Sequence, residues 1–300
     1  MLIVVQDPQA IDETALTRGS RYCAQLEEGH ILLLPQTMLD LPDDDRRFLL
    51  SQQHAVAASH KNIAFRPDRN RLAGFVERRS GDADRLRAIL RAYSARVTQL
   101  VTQLLPPYAA WLRVDLASFR PEDEERRDLR LRERNDLLHV DAFPSRPTNG
   151  DRILRVFTNL NQTRSRRWIS TDGFEALLAQ SAESRQLRLP KPAAWARRAL
   201  IRLARAAGLP ARSPYDAFML RFHDFLKQER EFQAGCVKQT YEFPPGSTWI
   251  VFTDGVPHAA VAGQYALEQT FFVAPEGLVA PAQAPLRILE RLCGAPLTFK

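Results

Sequence analysis

Four short apolar runs in the second half of the chain limit what it can fold into. They lie at 137–143 (LLHVDAF), 152–157 (RILRVF), 249–253 (WIVFT) and 269–273 (QTFFV). All are shorter than an ordinary helix, and β-branched and aromatic residues recur among them. Turn residues bound them: the stretch PSRPTNG at 144–150, Pro244-Pro245-Gly246 before the third run, and Asp254-Gly255 after it. Short strands punctuated in this way close into a jelly roll or a barrel.

Helical patterns surround that β region. The first third reads as mostly helical. The Asp43-Asp44-Asp45 cluster looks like a cap with first-turn acids for a helix ending near Leu50. The clearest helix is expected over about 83–105. Ile89, Leu90, Tyr93, Val97, Leu100, Val101 and Leu104 form one stripe of a 3.6-residue period, and Pro106-Pro107 stops it. Further helices are expected at 193–207, 215–231 and 285–292. The expected fold class is α+β: a jelly-roll core with N-terminal, inserted and C-terminal helices. One domain spans 1–300, with a mainly helical part at 1–112, the core at 113–275 holding a helical insert at about 173–232, and a C-terminal helix within 276–300.

His139-Val140-Asp141 falls inside the first run. On a strand, residues i and i+2 point the same way, so His139 and Asp141 aim at one side. His258, just past the third run and followed by small residues, is the best third partner. Two histidines and one carboxylate make a facial set for iron, with three coordination positions left open. The plainer alternative is a satisfied core histidine beside a surface aspartate. His223-Asp224 competes, but it lies in a helical pattern where adjacent residues do not face each other, and a helical surface or packing role is expected there. His30, His54 and His60 have no ligand-like neighbours. Asp254 reads equally as a turn residue or as a carboxylate orienting a ligand imidazole.

A formal net charge of +7 points to an acidic partner. Cys23, Cys236 and Cys293 match neither a disulfide framework nor a zinc site, and read as reduced thiols in a cytoplasmic protein. The start MLIVVQDPQAIDE is a poor signal peptide, and no apolar stretch is long enough to span a bilayer.

The segment from His139 to Asn161, HVDAFPSRPTNGDRILRVFTNLN, resembles the Kdo (3-deoxy-D-manno-oct-2-ulosonic acid) hydroxylase family of Fe(II)/2-oxoglutarate-dependent dioxygenases. Ser118-Phe119-Arg120-Pro121, Tyr215-Asp216, Met219-Leu220, His223-Asp224 and Lys227 carry the likeness further. So do FPPGSTWIVFTDGVPHAAVAGQYALEQTFFV at 243–273 and PLRILERLCG at 285–294. The resemblance implies a double-stranded β-helix, cupin-like core. It implies Fe(II) with 2-oxoglutarate and O2 as cosubstrates, and hydroxylation of carbon 3 of Kdo in a Kdo-lipid A precursor to give Ko. It carries the metal ligands onto His139, Asp141 and His258. The family commonly reads DQVSHAA where this chain has DGVPHAA, so Pro257 alters the backbone entering His258.

The distal carboxylate of 2-oxoglutarate needs a cation. Many related oxygenases place one after the distal histidine, but 259–273 contains no Lys or Arg. Arg152 and Arg155 are the alternatives, on opposite faces of their strand. Arg155 sits mid-strand between Leu154 and Val156, so it is the expected cosubstrate anchor, against a structural ion pair. The stretch 190–213 holds Lys191, Arg197, Arg198, Arg202, Arg205 and Arg212 with no acid. As an amphipathic helix it would either rest on the anionic inner membrane or pack on the barrel. Loops at 143–146 and 164–168 are weaker candidates for sugar contacts. The expected partner is therefore a Kdo-containing lipid A precursor and not nucleic acid. The alternative is an oxygenase acting on another anionic substrate, nucleic acid or protein, and a third reading is a catalytically silent sugar-binding barrel. The sequence carries no sign of oligomeric state.

Overall fold

Strands that turn alternate side chains to opposite faces and are buried on both build two hydrophobic layers. The computed structural model describes residues 1–5, 14–34, 41–57, 60–126, 129–183, 187–191 and 212–299. Eleven strands run through them: β1 (Leu2–Val4), β2 (Ile31–Leu34), β3 (Ile63–Arg66), β4 (Arg71–Ala73), β5 (Leu112–Arg120), β6 (Arg152–Asn159), β7 (Arg166–Ser170), β8 (Gln239–Phe243), β9 (Thr248–Phe252), β10 (His258–Ala262) and β11 (Ala266–Val273). Eight form one sheet in the order β1-β2-β9-β6-β11-β5-β3-β4, and three form a second, β10-β7-β8.

Strands β6 and β11 are buried along their whole length. Leu154 and Val156 on β6, Ile250 and Phe252 on β9, and Leu267 and Phe271 on β11 turn to one face. There they meet α1 (Ala15–Glu27) and α3 (Asp82–Leu104). The buried stripe of α3 includes Ile89, Leu90, Tyr93, Val97, Leu100 and Val101, as its period predicts. Each large side chain so buried contributes roughly 1.5–3 kcal/mol. The opposite face carries Phe157, Trp249 and Val251, which pack with Trp168 and Phe243 of the small sheet. Between the two sheets this face also holds polar groups, and those make the site.

A third cluster joins α4 (Phe174–Glu183), α5 (Pro214–Gln228) and α7 (Pro285–Cys293). Ser213 caps α5 reciprocally with Asp216, which fixes where that helix begins. A short helix, α6 (Arg230–Gly235), follows it. Val140 is fully buried in this cluster.

Two expectations change. Residues 137–143 are not a strand: His139 makes an isolated bridge to His258, while Leu138 and Val140 bond to the side chains of Gln233 and His223 and Asp141 to the Thr253 carbonyl in the turn after β9's run. The acids of α2 (Asp43–Leu50) lie in its first turn, but the capping position is Pro42, with no side-chain cap. The first 112 residues, read as a mainly helical part, also supply β1 to β4, which extend the large sheet at both edges. The expected helix at 193–207 lies outside the described residues.

Candidate active site

The backbone around His139 is pinned at three successive residues. His139 and His258 exchange N–H···O bonds at 3.1 and 2.9 Å. The Asp141 N–H donates to the Thr253 carbonyl at 2.8 Å, and His223 Nδ1–H donates to the Val140 carbonyl at 2.7 Å. With Val140 drawn into the helical cluster, His139 and Asp141 are left facing the space between the sheets. His258 begins β10 directly opposite, and Pro257 is tolerated beside it, its carbonyl taking a 2.5 Å bond from Ser170 Oγ.

Ligand atoms of His139, Asp141 and His258 all lie within 4.8 Å of one another, and all three residues are buried. Each imidazole is oriented from behind. His139 Nδ1 meets the Leu137 carbonyl at 2.7 Å and His258 Nδ1 meets the Val256 carbonyl at 2.9 Å. A carbonyl only accepts, so Nδ1 carries the proton and Nε2 presents its lone pair. Trp168 stacks on His258 with centroids 5.0 Å apart, and His223 stands edge-on to His139 at 5.0 Å. Burial lowers the His139 pKa well below the usual value, and the nearby His258, Lys227 and His223 act the same way. Burial likewise brings His258 down to about 4. Burial pushes Asp141 up, but Arg155 and the two histidines outweigh it and hold the carboxyl well below its usual range. Two neutral imidazoles and one carboxylate are the protonation state a divalent metal requires.

Arg155 rises from β6 into the same space. Its Nη1 donates to Asp141 Oδ2 at 2.5 Å and its Nη2 to Glu268, while Arg120 Nε donates to the other oxygen of Glu268 at 2.8 Å. Burial raises Glu268, yet Arg120 and Arg155 together hold it at about 2. Above these charges opens a cavity of about 630 Å³. Its wall includes eight Lys or Arg side chains and four Asp or Glu, so it suits an anionic occupant.

The chain matches, over residues 10–296, the family model described as 3-deoxy-D-manno-oct-2-ulosonic acid (Kdo) hydroxylase. It belongs to the Kdo hydroxylase family. Comparison with curated protein sequences returns no match. Among solved structures, the Kdo hydroxylase KdoO, a non-heme Fe(II) α-ketoglutarate-dependent dioxygenase, is similar over nearly the whole chain. Its complex with α-ketoglutarate and Fe(III) is 33% identical, covers 99% of this chain and 97% of that one, and has a TM-score of 0.82. Its cobalt(II) complex is 34% identical, with the same coverage and a TM-score of 0.84. The two facing sheets of this Kdo hydroxylase family member are those of the dioxygenase jelly roll.

Other residues singled out in the sequence separate sharply. Arg152 is outside the cavity, fully buried in a 2.8 Å ion pair with Asp254 and lying over the Phe252 ring. Asp254 therefore orients a guanidinium, not an imidazole. Phe143, Arg146, Arg166 and Trp168 line the cavity, whereas Arg164 pairs with Asp123 and Glu125 at the surface. His223, expected to be a helical surface or packing residue, lines the cavity with Lys227. The four-residue spacing of 223 and 227 was the available signal, since it puts both on one side of α5. Glu268 gave none, as a lone acid in an apolar run. Of the basic stretch, residues 192–211 lie outside the described residues. Among the described residues no helix is long and apolar enough to cross a membrane.

Proposed function

We propose that this chain is an Fe(II)/2-oxoglutarate-dependent dioxygenase that hydroxylates carbon 3 of Kdo in a Kdo-lipid A precursor to give Ko. The observation that carries the reading is the buried His139–Asp141–His258 cluster, in a chain of this family. The cluster suits iron(II) because both Nε2 lone pairs and a carboxylate oxygen converge, and because both Nδ1 atoms are already committed to backbone carbonyls. Bound iron with 2-oxoglutarate and O2 supplies oxidative decarboxylation of the keto acid coupled to hydroxylation of a C–H bond, releasing succinate and carbon dioxide.

The protein's own residues orient and exclude. Arg155 is the proposed partner of the distal carboxylate of 2-oxoglutarate. Its Nε has no hydrogen-bond partner, so the guanidinium keeps capacity for an incoming carboxylate while holding Asp141 in place. Trp168 fixes the ring of His258, and Val140 anchors the segment carrying the other two ligands. Residues 1–300 are read as one working domain. The setting that fits a lipid substrate and free cysteines at 23, 236 and 293 is the cytoplasmic face of the inner membrane.

Mass spectrometry of Kdo-lipid A precursor, incubated with the protein, iron(II), 2-oxoglutarate and O2, tests the assignment. The expected result is a gain of one oxygen on the Kdo portion, with one succinate per turnover. Succinate release driven by DNA or peptide but not by the lipid would move the activity to another anionic substrate.

A further inference from the structure

The charged groups of the cavity are unequally provided for. Arg120, Arg146, Arg155 and Arg166 each face a carboxylate. Lys227 does not. It is 3% exposed and lines the cavity. Its ammonium donates one hydrogen bond, 2.9 Å to the Arg132 carbonyl, and among the described residues it makes no ion pair. An ammonium has three N–H donors, so a buried one with a single acceptor is incomplete until something anionic arrives. Burial lowers its pKa to about 8, which still leaves it mostly charged at neutral pH.

Its surroundings are built. His223, one turn earlier on α5, spends Nδ1–H on the Val140 carbonyl and so presents Nε2 as an acceptor. Asp224 holds Arg132 at 3.4 Å, which ties the turn that receives the Lys227 bond onto the same helix. The neighbouring face of α5, with Phe218, Phe222 and Leu226, is sunk in the helical core, which anchors this wall.

Building on the proposed function, we infer that Lys227 binds the carboxylate of the Kdo residue being hydroxylated, with His223 accepting from a sugar hydroxyl beside it. The substrate's chemistry sets the distance. A 3-deoxy-oct-2-ulosonic acid carries its acid at carbon 1 and its only ring methylene at carbon 3, two bonds away. Whatever grips the acid must therefore sit close to the metal cluster. Lys227 does: it lines the same cavity as His139, Asp141 and His258, one turn along α5 from His223, whose ring stands 5.0 Å from that of His139.

The test compares wild type with Lys227→Met and Lys227→Arg, using a Kdo glycoside and its carbon-1 methyl ester. Equilibrium binding to the metal-free full-length chain is measured alongside turnover of Kdo-lipid A precursor. Wild type should bind the free acid at least tenfold better than the ester. Lys227→Met should lose that preference and raise KM for the lipid at least tenfold, while its KM for 2-oxoglutarate stays the same. Lys227→Arg should keep most of the preference. The esterified ligand challenges the wild-type protein itself, so the inference stays open to refutation even if a variant folds poorly. An unchanged preference in a folded Lys227→Met, or a loss of 2-oxoglutarate affinity in its place, overturns the inference. Failure of wild type to hydroxylate the lipid at all counts against the proposed function instead.

Discussion

The floor and the wall of the cavity are made on different principles. The floor comes from β5, β6 and β11, where every charge is answered: Arg155 by Asp141 and Glu268, Arg120 by Glu268. The wall comes from α5, where His223 offers an open acceptor and Lys227 has open donors. A strand floor of paired ions holds a fixed geometry, because breaking any one pair would strand a buried charge, and it leaves only the Arg155 Nε unbonded among these groups. A helical wall left incomplete keeps its binding capacity for an occupant. Paired charges in one region and open donors in the other set the two apart.

The largest expected effect comes from breaking the ligand set itself. His139→Ala or Asp141→Ala should abolish stoichiometric iron binding and reduce hydroxylation at least about 1000-fold, equivalent to roughly 4 kcal/mol of lost transition-state stabilisation. Iron content by metal analysis, read beside turnover, checks it. Intact turnover in His139→Ala would sink the enzyme reading.

Glu268→Gln strikes the floor next. It leaves Arg155 and Arg120 buried with one carboxylate fewer, a change of about 3–5 kcal/mol in unfolding free energy. The pH dependence has a definite sign. Glu268 ionises at about 2 in the folded protein, below its ordinary 4.5. Its stabilisation is therefore complete above pH 4.5 and is lost as pH falls through about 2. Denaturant melts from neutral pH downward should show the wild-type advantage over Glu268→Gln shrinking across that window. A constant gap would mean that the carboxylate charge is not what stabilises the floor.

Arg155→Ala should raise the 2-oxoglutarate requirement at least tenfold, about 1.4 kcal/mol, and leave the lipid KM nearly unchanged. That contrast with Lys227→Met is the sharpest statement of the difference between floor and wall. Should both variants affect the same ligand, the two regions do not divide the work.

Trp168→Leu should have the smallest effect. It removes the ring stacked on His258 but none of its hydrogen bonds. Iron affinity should fall about tenfold, near the lower end of what outer partners of metal ligands contribute. A competition titration against a chelator measures it.

Much of this site is legible along the chain because it is local. His139 and Asp141 are two residues apart, and extended backbone alone makes them share a side. The α3 stripe follows from period in the same way. The 137–143 run misleads because its composition is strand-like, while its hydrogen bonds go to His258, Thr253, His223 and Gln233, a set that sequence does not align.

By itself, the sequence singled out the candidate trio, the runs that become β6, β9 and β11, and the family, since these depend on short-range spacing and ordered motifs. Only the tertiary structure showed which partners are brought to Arg152 and Arg155, Asp254 in one case and Asp141 with Glu268 in the other. It also turned His223 and Lys227 from a helical pattern into a cavity wall. Ion pairs across a hundred residues depend on how strands register, and no local pattern records that.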